Sequence, residues 1–173
     1  EAFLPSGKSA QAATTHSLGQ NFAKAFEIKF KNKQGEEQFV WQNSWGLSTR
    51  SIGITIMYHS DDKGAIIPPS VAKNKLVIIP IYFKDEKREI LKKCNELKSK
   101  LAAFNPILDD RDGYTPGWKF NEWELKGIPI RIELGPNDLK KSQAVLVRRD
   151  NSKKEIIKLS QLDKKIPSLL DEI

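Results

Sequence analysis

The residues with the clearest chemical bearing lie in the stretch Trp41-Gln42-Asn43-Ser44-Trp45-Gly46-Leu47-Ser48-Thr49-Arg50-Ser51-Ile52-Gly53. Phe39, Val40 and Trp41 have the aromatic and β-branched character of a strand, and Gly46 suits a turn. Ser48 or Thr49 can cap a helix that opens on Arg50 and carries the apolar run Ile52, Ile54, Ile56 and Met57. The free N–H groups of a first helical turn and the positive end of its dipole favour phosphate, and a guanidinium adds a planar fork for two of its oxygens. The same spacing describes an ordinary capped helix with a surface arginine, and on these residues alone both readings stand.

The elements around this stretch must position it. Phe26 to Lys31 and Gln38 to Asn43 read as two strands joined through Asn32-Lys33-Gln34-Gly35, and the second would deliver the arginine. The helix runs from Arg50 to His59 and breaks at Asp61-Asp62-Lys63-Gly64. Ile66-Ile67-Pro68-Pro69-Ser70 then forbids helix and marks a domain boundary. Beyond it, strands and helices alternate. Leu76 to Phe83 is apolar on both faces, as a covered central strand would be, and a helix over Lys87 to Phe104 buries Ile90, Cys94, Leu97, Leu101 and Phe104. A strand at 107–110, a helix at 118–126, strands at 129–134, 143–149 and 155–159, and a helix from Leu162 interrupted at Pro167 complete a compact mixed sheet carrying helices. The alternation in Pro129-Ile130-Arg131-Ile132-Glu133-Leu134 predicts that Arg131 and Glu133 share one exposed face.

Composition bounds the partners. The 173 residues carry 29 Lys and Arg against 22 Asp and Glu, a net charge of +7, which makes a polyanion a plausible partner through counterion release. Much of that charge sits in Lys84 to Lys100, where the mixture with Glu86, Glu89 and Glu96 reads as the wet side of an amphipathic helix. No apolar run approaches ~20 residues, so no helix is predicted to span a bilayer, and a cytoplasmic location is expected. Cys94 is the only cysteine and His16 and His59 the only histidines, far from it in sequence. That excludes an internal disulfide, a multi-cysteine zinc cage and any sign of a Cys-His or Ser-His-Asp nucleophile. The opening Glu1-Ala2-Phe3, without a methionine, suggests a piece of something longer.

Three blocks are more specific than any single motif: Gln11 to Phe22 (Gln-Ala-Ala-Thr-Thr-His-Ser-Leu-Gly-Gln-Asn-Phe), Trp41 to Arg50, and Pro116-Gly117-Trp118-Lys119-Phe120-Asn121-Glu122-Trp123-Glu124-Leu125-Lys126-Gly127. In this order and spacing the chain resembles prolyl-tRNA synthetases of the archaeal and eukaryotic type along nearly its whole length. The resemblance implies an α/β (α+β overall) organisation. Residues 1–67 would be the C-terminal part of a class II antiparallel-sheet catalytic domain with its motif 3, 68–165 a mixed-sheet α/β anticodon-binding domain, and 166–173 the start of a linker or helix. It implies proline–tRNA ligation: ATP-dependent attachment of L-proline to tRNA(Pro) through prolyl-adenylate, with Mg2+, in a homodimer built through the catalytic domain.

The resemblance also implies roles. Arg50 would be the catalytic arginine of motif 3, and Gln11, Thr14, Ser48 and Arg50 would hold ATP. His16, Ser44, Trp45 and Gly46 would form the proline pocket, while Glu124 and Arg131 read guanines of the anticodon and Lys153 reaches the anticodon loop. A carboxylate can accept from guanine N1 and N2, and an arginine can donate to O6 and N7. Each role has a plainer competitor: a loop histidine for His16, core packing for Trp45, and a surface salt bridge of little worth for Glu124 and Arg131. Trp118, Phe120 and Trp123 read as packing that seats their helix on the sheet. Two positions depart from the family pattern, Asn137 after Gly135-Pro136 where a basic residue is common, and Ser60 in place of a glycine. Motifs 1 and 2 lie outside these residues, so the 173 residues are expected to be inactive by themselves. A second reading is a non-catalytic anticodon or RNA-binding module. A synthetase specific for threonine, glycine or histidine is disfavoured by the Trp118 to Gly127 block.

Overall fold

The structure, a computed structural model, describes residues 1–173 apart from the Lys84 side chain. The chain forms two compact units, Glu1–Tyr58 and His59–Ile173. In the first, strands β1 (Ala2–Phe3) and β2 (Ser9–Ala10) pair antiparallel ahead of β3 (Ala13–Gly19). Helix α1 (Asn21–Ala25) leads to the hairpin β4 (Lys29–Lys31) and β5 (Glu37–Phe39), and then β6 (Gln42–Leu47) returns to pair with β3 before helix α2 (Arg50–Tyr58). The hairpin turn is built as its residues suggest: Asn32 Oδ1 accepts from the N–H groups of Gln34 and Glu36, each at 2.9 Å, and Gly35 takes a positive φ of 85°.

The strands of this unit differ from the sequence expectation in a way that moves the site. The segment after Asn21 begins as helix, and Glu27 with φ 53° ends it, so β4 starts only at Lys29. The expected strand 38–43 is broken at Val40–Trp41, and the motif itself is a strand. Gly46 lies within β6 opposite Thr14, and the chain turns at Ser48–Thr49.

The second unit opens with a small hairpin, β7 (Ser60–Asp61) and β8 (Gly64–Ala65), so Ser60 occupies a paired strand position opposite Ala65. Strand β9 (Leu76–Pro80), helix α3 (Lys87–Lys100), strand β10 (Ile107–Leu108), helix α4 (Pro116–Leu125), strand β11 (Ile130–Leu134), helix α5 (Pro136–Lys140), strands β12 (Gln143–Arg148) and β13 (Lys154–Lys158), and helix α6 (Leu162–Asp171) follow. The five strands form one mixed sheet in the order β10-β9-β11-β12-β13, parallel from β10 to β11 and antiparallel beyond.

One face of this sheet, with Leu76, Ile78, Ile130, Ile132, Leu134, Ala144, Leu146 and Ile157, packs with residues of α3 (Ile90, Cys94, Leu97) and of α6 (Leu162, Ile166, Leu169) in a single core. Burial pushes the Cys94 thiol up to about 12, so it is an inert core group. Helix α6 continues through Pro167, its apolar stripe held by that core at the cost of one internal bond. On the other face Val77, Ile79 and Ile128 pack with Ile107, Phe120 and Trp123, which seats α4. Among the described residues no helix is long and apolar enough to cross a membrane.

Candidate functional site

Thr14 faces Gly46, Thr15 faces Trp45 and His16 faces Ser44 across the β3–β6 pair. Side chains alternate along a strand, so Thr14, His16, Ser44 and Gly46 share one face and Trp45 lies on the other. The expected proline-pocket set therefore divides: three of its residues stand together, whereas Trp45 projects away and is 77% exposed. A Cβ at Gly46 would come within 2.9 Å of Thr14 Oγ1, so glycine there keeps the strand pair close and its surface open.

At the end of this pair, Gln11, Ala12, Thr14, Gly46, Ser48 and Arg50 line a concavity of about 260 Å³. The arginine is brought there by the turn after β6: Ser48 Oγ accepts from Arg50 N–H at 3.3 Å, and the Ser48 carbonyl accepts from Ser51 N–H at 3.1 Å and from Ser51 Oγ at 2.8 Å. The side chains offered are an amide, two hydroxyls and a guanidinium, with no carboxylate among the lining residues. That donor set suits phosphate oxygens and does not suit a divalent cation. Among the described residues no group of three or more His, Cys, Asp or Glu could hold a metal ion.

The second cluster is on α4 and β11. Thr115 caps α4 by accepting from Trp118 N–H, with Pro116 in the first turn, which fixes where the helix begins. Arg131 Nη1 donates to Glu124 Oε1 and Nε donates to Glu133 Oε1, each at 2.9 Å, and the guanidinium carbon sits 4.3 Å from the Phe120 ring centre. Contrary to the alternation reading, Arg131 and Glu133 are buried, at 6% and 7% exposure, because α4 covers that face. The plain competitor is corrected with them: the Glu124–Arg131 pair is not a surface salt bridge but a largely buried one. Lys153 stands in the turn after β12, exposed, 3.5 Å from Glu155 Oε1 and two residues from Asn151, whose Oδ1 accepts from its N–H. Asn137 lies exposed in the first turn of α5.

Glu124, Arg131, Trp123, Ile128, Arg149 and Ser152 enclose a recess of only about 10 Å³, room for roughly one water. Arg149 went unnoticed in the sequence. It is buried, donates through Nε to the Glu124 carbonyl at 2.8 Å and through Nη2 to the Gly64 carbonyl at 2.9 Å, and grips Asp61 through Nη1 at 2.8 Å and Nη2 at 2.5 Å. These hydrogen bonds hold the Asp61 carboxyl well below the usual carboxylate range. Next to α4, Asp109 accepts from Arg111, Trp123 Nε1 at 2.8 Å and, through its carbonyl, Lys119 Nζ at 3.0 Å, while Arg111 also bonds Glu122. The aromatic trio divides: Phe120 and Trp123 pack on the sheet, whereas Trp118 is half-exposed and stacked on Tyr114.

A family model described as an anticodon binding domain matches residues 75–169. Among curated relatives, a proline–tRNA ligase of Natranaerobius thermophilus is 48% identical over 174 residues, all of this chain and 36% of the relative. The cytoplasmic proline–tRNA ligase of Arabidopsis thaliana is 49% identical over 177 residues and 33% of its length, and the proline–tRNA ligase of Chloroherpeton thalassium is 51% identical over 176 residues and 36% of its length. The chain thus spans about a third of the length of the curated relatives it matches. A mixed sheet covered by helices on both faces, with a match to more than half of the residues and similarity to these ligases from end to end, leads to one conclusion: the chain belongs to the family of anticodon binding domains.

Proposed function

We propose that this chain acts as part of a proline–tRNA ligase, with the first unit contributing the motif 3 end of the catalytic domain and the second unit binding the anticodon of tRNA(Pro). The observation that carries the reading is the extent of the similarity: the ligases match all of the chain, the first unit included, and not only the anticodon-binding stretch. A module that only bound RNA would have no use for Gln11, Thr14, Ser48 and Arg50 around one anion-suited concavity.

In this reading Arg50 grips phosphate oxygens of ATP while Gln11, Thr14 and Ser48 orient the nucleotide. His16, Ser44 and Gly46 form a flat, small-residue surface for the proline ring. Trp45, on the other face of the strand pair, would meet proline only through a different arrangement of β6. Mg2+ would arrive with the nucleotide, since the lining residues offer it no carboxylate. Proline activation relies on positioning and charge neutralisation rather than on a protein nucleophile. Glu124 and Arg131 take the two edges of an anticodon guanine, and Lys153 gives the loop a positioning phosphate contact.

The test is proline-dependent ATP–pyrophosphate exchange. The 173 residues alone are expected to give none and the longer ligase to give full activity. There, Arg50→Ala should reduce exchange about 100-fold, the scale for losing one preorganised charge contact, and leave affinity for an anticodon hairpin unchanged. Exchange by the isolated chain, or unaltered exchange in the Arg50→Ala ligase, would refute the assignment. A longer protein that binds tRNA but supports no exchange with any amino acid would favour the non-catalytic module.

A further inference from the structure

Glu133 has no role in the reading above, and its surroundings are unusual for a carboxylate. It sits on β11, the central strand of the sheet, between Ile79 on β9 and Val145 on β12, and Arg131 sits two residues earlier between Val77 and Val147. Their nearest neighbours under α4 include Val77, Ile79, Ile128, Phe120 and Trp123, with the buried Arg149 alongside. Two charges inserted there pay a desolvation penalty that hydrophobic side chains of the same volume would not, so the pair is poorly explained by stability alone. Among the described residues Arg131 is the only partner of Glu133.

The two carboxylates on Arg131 are not equivalent. Glu124 belongs to the last turn of α4 and its side chain is 21% exposed, whereas Glu133 is fixed on a paired strand and its side chain is 9% exposed. Glu124 is therefore the more open of the two to solvent and to a ligand. Glu133 also takes Nε, which leaves both terminal nitrogens free to serve as a fork once Glu124 lets go. The Phe120 ring stacked on the guanidinium limits its movement out of plane. The recess beside the pair has room for about one water, less than a base fills while Glu124 and Arg131 are in contact.

Resting on the base-reading role proposed for Glu124 and Arg131, we infer that Glu133 is the positioning residue of that pair. In the free protein Glu124 and Arg131 occupy each other's base-binding groups. An incoming guanine replaces both contacts at once: its N1 and N2 hydrogens go to Glu124, and its O6 and N7 receive the Arg131 fork. Throughout the exchange Glu133 keeps Nε bonded, so the guanidinium is never buried without a counter-charge and meets the base in a fixed orientation. Adenine presents a donor where the fork needs an acceptor and leaves both side chains unpaired, so the same arrangement rejects it.

The experiment measures binding of the 173-residue chain to an RNA hairpin bearing the proline anticodon, with guanine, 7-deazaguanine (no N7 acceptor) or inosine (no N2 amine) at the guanine positions. The unmodified chain should lose about tenfold in affinity for each analogue, the scale of one base-edge contact. Glu133→Gln should bind the guanine hairpin about tenfold more weakly and lose the 7-deazaguanine penalty, because the fork is no longer aimed, while keeping the inosine penalty that Glu124 imposes. Glu133→Asp keeps the charge on a shorter arm, serves if the Gln variant melts, and should lose the same penalty. A variant that folds, binds more weakly and still shows the full 7-deazaguanine penalty overturns the positioning role, since a merely structural residue would lower all affinities alike. An unmodified chain that discriminates against neither analogue overturns the base-reading assignment itself, an outcome separate from a failure of Glu133.

Discussion

Asp109 shows what a single side chain can organise here. It is almost fully buried, and burial alone would raise its pKa, but hydrogen bonds from Arg111 and Trp123 and the nearby Lys119 charge outweigh that and hold it at about 2. A depressed carboxylate stabilises the fold above its ordinary value of 3.8 and loses that contribution as pH falls towards 2. The contribution is on the order of 2 kcal/mol. Asp109→Asn should lower the unfolding free energy at pH 7 by about 3 kcal/mol, more than the protonation effect, because Lys119 is left buried without its counter-charge. Urea melts at pH 7 and pH 3 would check both statements: the variant should lose less stability on acidification than the unmodified chain. Little of this network could be read from the sequence, since Asp109, Lys119 and Trp123 meet only when α4 folds over the sheet. Arg131 and Glu133 carry the same lesson. Period-two alternation correctly placed them on one face, but alternation is silent about what covers that face, and α4 does.

At the scale of elements, the β7–β8 hairpin and the end of α4 interlock through two glycines. A Cβ on Gly127 would come within 2.6 Å of the Ala65 carbonyl oxygen, and one on Gly64 within 2.5 Å of Leu125 Cα, and both residues have positive φ, 73° and 132°. Gly127→Ala therefore combines backbone strain with a backbone clash and should cost about 3 kcal/mol. It should also weaken anticodon-hairpin binding, because Glu124 lies three residues away; a thermal melt paired with a binding titration would check it, and an unchanged melting temperature would count against the interlock. The sequence indicated most of these elements. Strong periods and caps marked α2, α3, α4 and the strands of the large sheet to within a few residues. It failed where tertiary contacts override local signals, in the helix through Pro167, in the short α5, and in the break between β5 and β6 that shifts the motif from a turn into a strand. The family resemblance grouped Gln11, Thr14, Ser48 and Arg50, and they do line one concavity, while the strand register that separates Trp45 from His16, Ser44 and Gly46 depends on a pairing no local pattern fixes.

Across the whole molecule, the two units are unequal in what they bury. The first buries only Ala23 and Ile54 among its hydrophobic residues and leaves Phe3, Phe26, Trp41, Trp45, Leu47 and Ile52 more than 60% exposed, whereas the second holds the continuous core on its sheet. Residues 59–173 produced alone should therefore melt in one cooperative transition, and residues 1–58 alone should give a broad, non-cooperative one, as circular dichroism can report. A sharp transition from residues 1–58 would contradict this. The strap of Asp61, Gly64 and Arg149 carries one more consequence. The exposed connector around Val71 is where a protease would cut, yet the hairpin ahead of it stays keyed to the far end of β12. A chain nicked there should still travel as a single particle on a sizing column, so an intact elution peak is no proof of an intact backbone.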